Sequence, residues 1–101
     1  MLLSEKGSAY VVLKQWPQSL AVYEEGLNLP GLKDRDRARL LRGKGFALTE
    51  LGRLDDAEAA YQASLTSEPG NERALKELDY IRRVRAGGPR TATGIYVAPK
   101  P

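Results

Sequence analysis

The most constraining feature of this chain is that it matches itself. Displaced by 38 residues, it superposes Leu2 on Leu40, Leu3 on Leu41, Lys6 on Lys44, Gly7 on Gly45, Ala9 on Ala47, Leu13 on Leu51, Ala21 on Ala59, Tyr23 on Tyr61 and Leu27 on Leu65. These nine identities fall within residues 2–31, where average composition supplies roughly two by chance. Tyr10/Leu48, Trp16/Leu54 and Ser19/Ala57 extend the match at apolar or small positions. A chain built from two copies of one short unit is confined to architectures in which neighbouring units share a core.

The apolar and small residues of each copy recur at helical spacing, as in Leu41, Gly45, Leu48 and Leu51, then Leu54, Ala57, Tyr61 and Leu65. Each unit is therefore expected to be a helical hairpin. Gly52 is placed as a left-handed helix end. Asp55, with Glu58 three residues on, is expected to cap the second helix, and Pro17 suits the opening turn of the corresponding helix in the first copy. Pro69-Gly70-Asn71 ends the second hairpin, and Asn71 is positioned to cap a fifth helix over residues 72–86. The resulting expectation is an all-α array: a hairpin over 1–31, a hairpin over 38–69, a capping helix over 72–86, and a Gly/Pro-containing tail or linker over 87–101.

These residues resemble the tetratricopeptide repeat (TPR), a 34-residue helix-turn-helix unit. In the second copy Leu41, Gly45, Leu48, Ala57, Tyr61 and Pro69 stand at the pattern's Trp, Gly, Tyr, Ala, aromatic and Pro places with matching spacing. In the first copy Leu3, Gly7, Tyr10 and Tyr23 fit, Ser19 replaces the Ala, and Pro30 falls one residue early. Lys6 and Lys44 occupy a usually apolar place, so their ammonium groups must snorkel out. The period of 38 adds about four residues near Lys33-Asp34-Arg35-Asp36, which either lengthen the next helix or form a loop. The resemblance implies an α-α superhelix of two TPR hairpins plus the capping helix.

Charge alternates along the chain: net −1 over residues 1–31, +4 over 32–45, −4 over 46–71 and +4 over 72–101. In TPR arrays the first helix of each hairpin lines the concave surface, which would place Arg39, Arg42, Phe46, Thr49 and Glu50 there. Arg73, Lys76, Tyr80 and Arg83 of the capping helix would join them, with Ser4, Ser8 and Val12 from the first copy. Asp55, Asp56, Glu58 and Glu68 would make the outside acidic. Guanidinium groups beside aromatic faces suit carboxylates on an extended peptide. The alternative for each Arg is a solvated face with intrahelical pairs such as Arg73 with Glu77. Some TPR proteins clamp a terminal carboxylate with Lys and Asn in the first hairpin; Ser4 and Ser8 stand at those places here.

The chain has no His and no Cys, which removes imidazole relays, thiolate nucleophiles and Cys/His zinc sites. Asp55 and Asp56 are adjacent and cannot face one substrate from one helix face. With no phosphate loop or metal cluster in sequence, the expectation is a cytoplasmic protein-interaction scaffold for an acidic protein or peptide, with no catalytic role, cofactor or membrane span. A second reading is nucleic-acid binding through Arg82-Arg83-Val84-Arg85 and Arg90, opposed by the −4 segment. A third is a structural fragment of a longer array, or self-association through the apolar N-terminal end at Met1, Leu2 and Leu3. Ile95-Tyr96-Val97 in the tail could also dock as an extended run on a groove.

Overall fold

A computed structural model describes residues 3–87, with side chains from Lys6 onward. The described residues form α1 (Leu3–Val12), α2 (Trp16–Leu27), α3 (Asp34–Glu50), α4 (Leu54–Ser67) and α5 (Glu72–Arg85), with no strand among them. The all-α expectation holds. Each helix packs on the next, and α1 also packs on α3. The shortest dimension, 18 Å, admits two layers of helices at the usual spacing of about 9 Å. No helix among the described residues is long and apolar enough to cross a membrane. Met1, Leu2, the Leu3 side chain and residues 88–101 lie outside the described part, and with them the expected N-terminal association surface and the tail.

Both hairpin turns close in the same way. After α3, the Gly52 N–H donates to Thr49 O at 3.0 Å and the Arg53 N–H to Leu48 O at 2.9 Å, with Gly52 at φ +79°. After α1, the Lys14 N–H donates to Val11 O and the Gln15 N–H to Tyr10 O, both at 2.9 Å. Lys14, which is 38 residues before Gly52, takes φ +57°. This is the paired closure of a helix ending on a left-handed residue, and glycine fits it without the Cβ crowding that lysine incurs.

The four extra residues lengthen α3, which begins at Asp34 rather than at residue 38 and runs for 17 residues. Asp34 and Asp36 in its first turn complement the helix dipole. Pro17 lies in the opening turn of α2 as expected, and the Asn71 side chain caps α5, accepting from the Ala74 N–H at 3.0 Å. Asp55 does not cap α4. The turn after α3 is so tight that the helix starts at Leu54 with Arg53 as N-cap, leaving Asp55 inside the first turn.

The core holds Leu48 of α3, Ala57, Ala60 and Tyr61 of α4, and Ala74, Leu78, Tyr80 and Ile81 of α5. Small residues let aromatic rings in. A Cβ on Gly45 would lie 2.7 Å from the Tyr61 ring. Tyr23 is held from two sides, since a Cβ on Gly7 of α1 would lie 2.6 Å from its ring and one on Gly43 of α3 would lie 2.4 Å from it. Gly43 is outside the repeat pattern, yet it is what joins the second helix of one hairpin to the first helix of the next.

Tyr61 is completely buried, and its hydroxyl has no hydrogen-bond partner among the described residues. Burial chiefly, and then Glu77, push its ionisation far above the usual tyrosine range. A buried hydroxyl left unsatisfied costs about 1–3 kcal/mol. Tyr61→Phe keeps the ring against Gly45 and is expected to raise stability by about 1 kcal/mol, or roughly 4–8 °C in Tm for a domain of this size. Thermal melts followed by circular dichroism check this, and a lowered Tm would mean that the hydroxyl stabilises the core.

Candidate peptide-binding groove

Arg39, Arg42, Gly43 and Phe46 recur at the spacing of one helical face, so α3 presents them together. They line a cavity of about 680 Å³, completed by Ser8 and Val11 of α1, Tyr23 of α2, and Asn71 and Arg73 at the start of α5. Phe46 is its aromatic centre. The Trp16 ring meets it edge-on, with centroids 5.7 Å apart and an interplanar angle of 81°, and the Arg73 guanidinium lies 5.8 Å from its centroid. These are favourable quadrupole geometries that fix the ring while leaving Phe46 half-buried.

The three arginines differ in their engagement. Arg39 is exposed and makes no ion pair among the described residues. Arg42 is largely enclosed and its Nη1 donates to Glu68 Oε1. Arg73 lies over Phe46, and its charge also reaches Glu77. Burial raises the Glu77 carboxyl above the ordinary range, Arg73 pulls it back, and Glu50 pushes it up again. The expected Arg73–Glu77 ion pair does not form among the described residues, because the guanidinium is turned onto the aromatic ring.

Of the nine side chains of α3 and α5 assigned to the groove from sequence, Arg39, Arg42, Phe46 and Arg73 come together and the other five do not. Thr49 is fully buried, its Oγ1 donating to Gly45 O at 2.8 Å, a bond within its own helix that lets a hydroxyl enter the core. Tyr80 is buried in the core because α5 turns the face bearing Leu78, Tyr80 and Ile81 inward. Lys76 is exposed but does not line the cavity. Arg83 is bound to Asp79 one turn back, at 3.0 Å, and lies off the cavity. Glu50 is half-buried and does not line the cavity either. In α1, Ser8 lines the groove, but the neighbouring position is Val11, since Val12 is 80% exposed and points away. The Ser4 side chain lies outside the described part.

The outer acidic surface is largely an array of ion pairs. Arg85 donates to Glu58 at 2.9 Å and to Asp55, and Arg53 donates to Asp56 at 2.8 Å. Glu68 is not part of that array: it does not line the cavity, but it pairs with Arg42, which does. Arg83 and Arg85, two members of the C-terminal basic run, are thus already engaged with carboxylates. Lys44 is half-buried and its ammonium turns toward Glu24, 3.9 Å away, on the face of α3 opposite the groove. There a smaller cavity of about 340 Å³ lies over Leu20, Leu41, Leu48 and Ala60.

Sequence reasoning missed Gly43, Val11, Tyr23 and Asn71 as parts of this site, and Glu68 as the partner of Arg42. Gly43 carried a signal, because a glycine inside a helical pattern usually marks a close approach. Glu68 carried none, being 26 residues from Arg42 and brought there only by the turn between α4 and α5. Comparison with protein-family models gives no match, and comparisons with curated proteins and with solved structures give none either.

Proposed function

We propose that the chain is a TPR-type interaction module that holds an extended acidic segment of a partner protein in the α1–α3–α5 groove, with no catalytic role. The observation that carries this reading is the convergence of Arg39, Arg42 and Arg73 around Phe46 in one open cavity. Guanidinium forks bind carboxylates in paired hydrogen bonds, and an aromatic ledge beside them offers apolar contact to the same segment. The repeat pattern shared by residues 2–31 and the 38-residue-shifted copy supports the TPR assignment. Nucleic-acid binding is less favoured, because Arg83 and Arg85 are paired within the fold.

Trp16 is the only tryptophan and touches Phe46, so its emission reports on the groove. Titration with a nine-residue peptide of alternating Glu and Ala is expected to change that emission saturably, and the response should weaken as salt rises. The matching Gln/Ala peptide should give no saturable change. Equal responses to the two peptides, or none to either, would overturn the reading.

A further inference from the structure

Arg42 lines the groove, and its pairing with Glu68 is something that the repeat pattern does not explain. Glu68 ends α4, where its backbone N–H donates to Ser64 O at 3.0 Å and its carbonyl accepts from the Asn71 N–H at 3.1 Å. Those main-chain bonds make the turn, and the Glu68 side chain takes no part in them. Its carboxylate instead crosses to α3 and meets the Arg42 guanidinium, the side chains being 35% and 16% exposed. A carboxylate of the chain thus already holds one of the arginines that line the groove.

Phe46 lies one helical turn beyond Arg42, a rise of about 6 Å along α3. Two residues of an extended peptide span roughly 6.6 Å, with their side chains on the same side. The register of the groove therefore matches an acidic side chain and an apolar one at positions i and i+2 of an extended ligand.

Building on the acidic-segment reading, we infer that Glu68 is an internal stand-in for the ligand: the partner segment carries a carboxylate two residues from an aliphatic or aromatic side chain, its carboxylate displaces Glu68 from Arg42, and its apolar side chain lies against Phe46. One carboxylate replaces another, so the exchange leaves Arg42 neutralised throughout. A groove that is self-occupied most of the time binds its ligand more weakly by the fraction that is open. Removing the Glu68 charge frees Arg42 and should tighten binding about three- to ten-fold.

The test is fluorescence anisotropy with two fluorescein-labelled, C-terminally amidated peptides, one with Glu-Ser-Leu at its centre and one with Glu-Ser-Ser, each flanked by the same Glu and Ala residues. Wild type, Glu68→Gln and Glu68→Asp are compared, the last being one methylene too short to hold Arg42 in the same way; circular dichroism verifies helicity. Tighter binding by both variants, with the Leu peptide preferred over the Ser peptide, is the expected result. Unchanged or weakened binding in a folded variant would overturn displacement and make Glu68 a brace for Arg42. Equal affinity for the two peptides would overturn the i, i+2 register. Both of those failures leave the acidic-segment reading intact, whereas binding of neither peptide by any of the three proteins would end that reading and this inference together.

Discussion

Gly43→Leu is expected to abolish cooperative folding of the array. A Cβ at this position would lie 2.4 Å from two ring atoms of Tyr23 and 2.8 Å from a third. The ring has nowhere to retreat, because it is 4% exposed and Gly7 stands against it with a clearance that also excludes a Cβ. Adding even one methyl group to such a site costs about 1–3 kcal/mol. An isobutyl group asks for more than that, against the roughly 5–10 kcal/mol that a domain of this size has in total. Gly70→Ala is the control, since nothing lies within 4 Å of the position a Cβ would take there, and it should change stability by less than about 0.5 kcal/mol. Urea unfolding followed at 222 nm separates the two. If the contact between Tyr23 and Gly43 is the cause, Tyr23→Ala introduced with Gly43→Leu should restore part of the loss by returning volume to the same place. A wild-type midpoint for Gly43→Leu would show that the two hairpins do not interlock through Tyr23.

Arg39→Glu combined with Arg73→Gln is expected to reduce affinity for an acidic peptide on the order of 100-fold or more. Hydrogen bonds to charged groups contribute about 1.5–3 kcal/mol each, and every 1.4 kcal/mol is tenfold in Kd. The choice of positions follows from the ion pairs. Reversing Arg42 would set two carboxylates face to face at Glu68 and confound binding with folding. Arg39 has no ion-pair partner to lose among the described residues, and Arg73 gives up its attraction to the Glu77 carboxyl and its contact with the Phe46 ring, the latter contributing about 0.5–1 kcal/mol at an exposed site. Helicity should therefore be preserved. Lys76→Glu, on the same helix as Arg73 but off the cavity, should leave Kd within about twofold. Parallel loss in both variants would point to diffuse attraction by net positive charge, and unaltered capture by the double variant would remove the groove from the mechanism.

What was legible in the sequence depended on whether a residue's role was decided locally. Gly45 and Tyr61 meet as their spacing implies, because a small and a large residue at matching places on adjacent helices have one way to pack. Asn71 caps α5 because capping needs only the next three residues. Asp55 failed as a cap for an equally local reason, the tight closure at Gly52 and Arg53 having used up the position. Tyr80 and Val12 were misplaced because the rotation of a helix about its own axis is set by its neighbours. α5 turns Tyr80 inward to complete the core around Tyr61, and α1 offers Val11 to the groove. Thr49 looked polar and proved internal, since its hydroxyl is satisfied by the carbonyl one turn back. Glu68 was beyond reach for a different reason. Its pairing with Arg42 is a property of a turn and a partner 26 residues away, and no periodicity encodes that.

The two hairpins are alike in path, but their turns differ in backbone cost. Lys14 holds the left-handed backbone that Gly52 and Gly87 adopt after α3 and α5, at a cost of roughly 1–2 kcal/mol for a residue bearing a Cβ. That cost falls on the turn between α1 and α2, and α1 is also the helix that supplies Ser8 and Val11 to one wall of the groove. A segment held in the groove as proposed would bear on this turn through α1. On the proposed function, occupancy would stabilise the costlier turn and so register as heat resistance and as protection of the α1 amides.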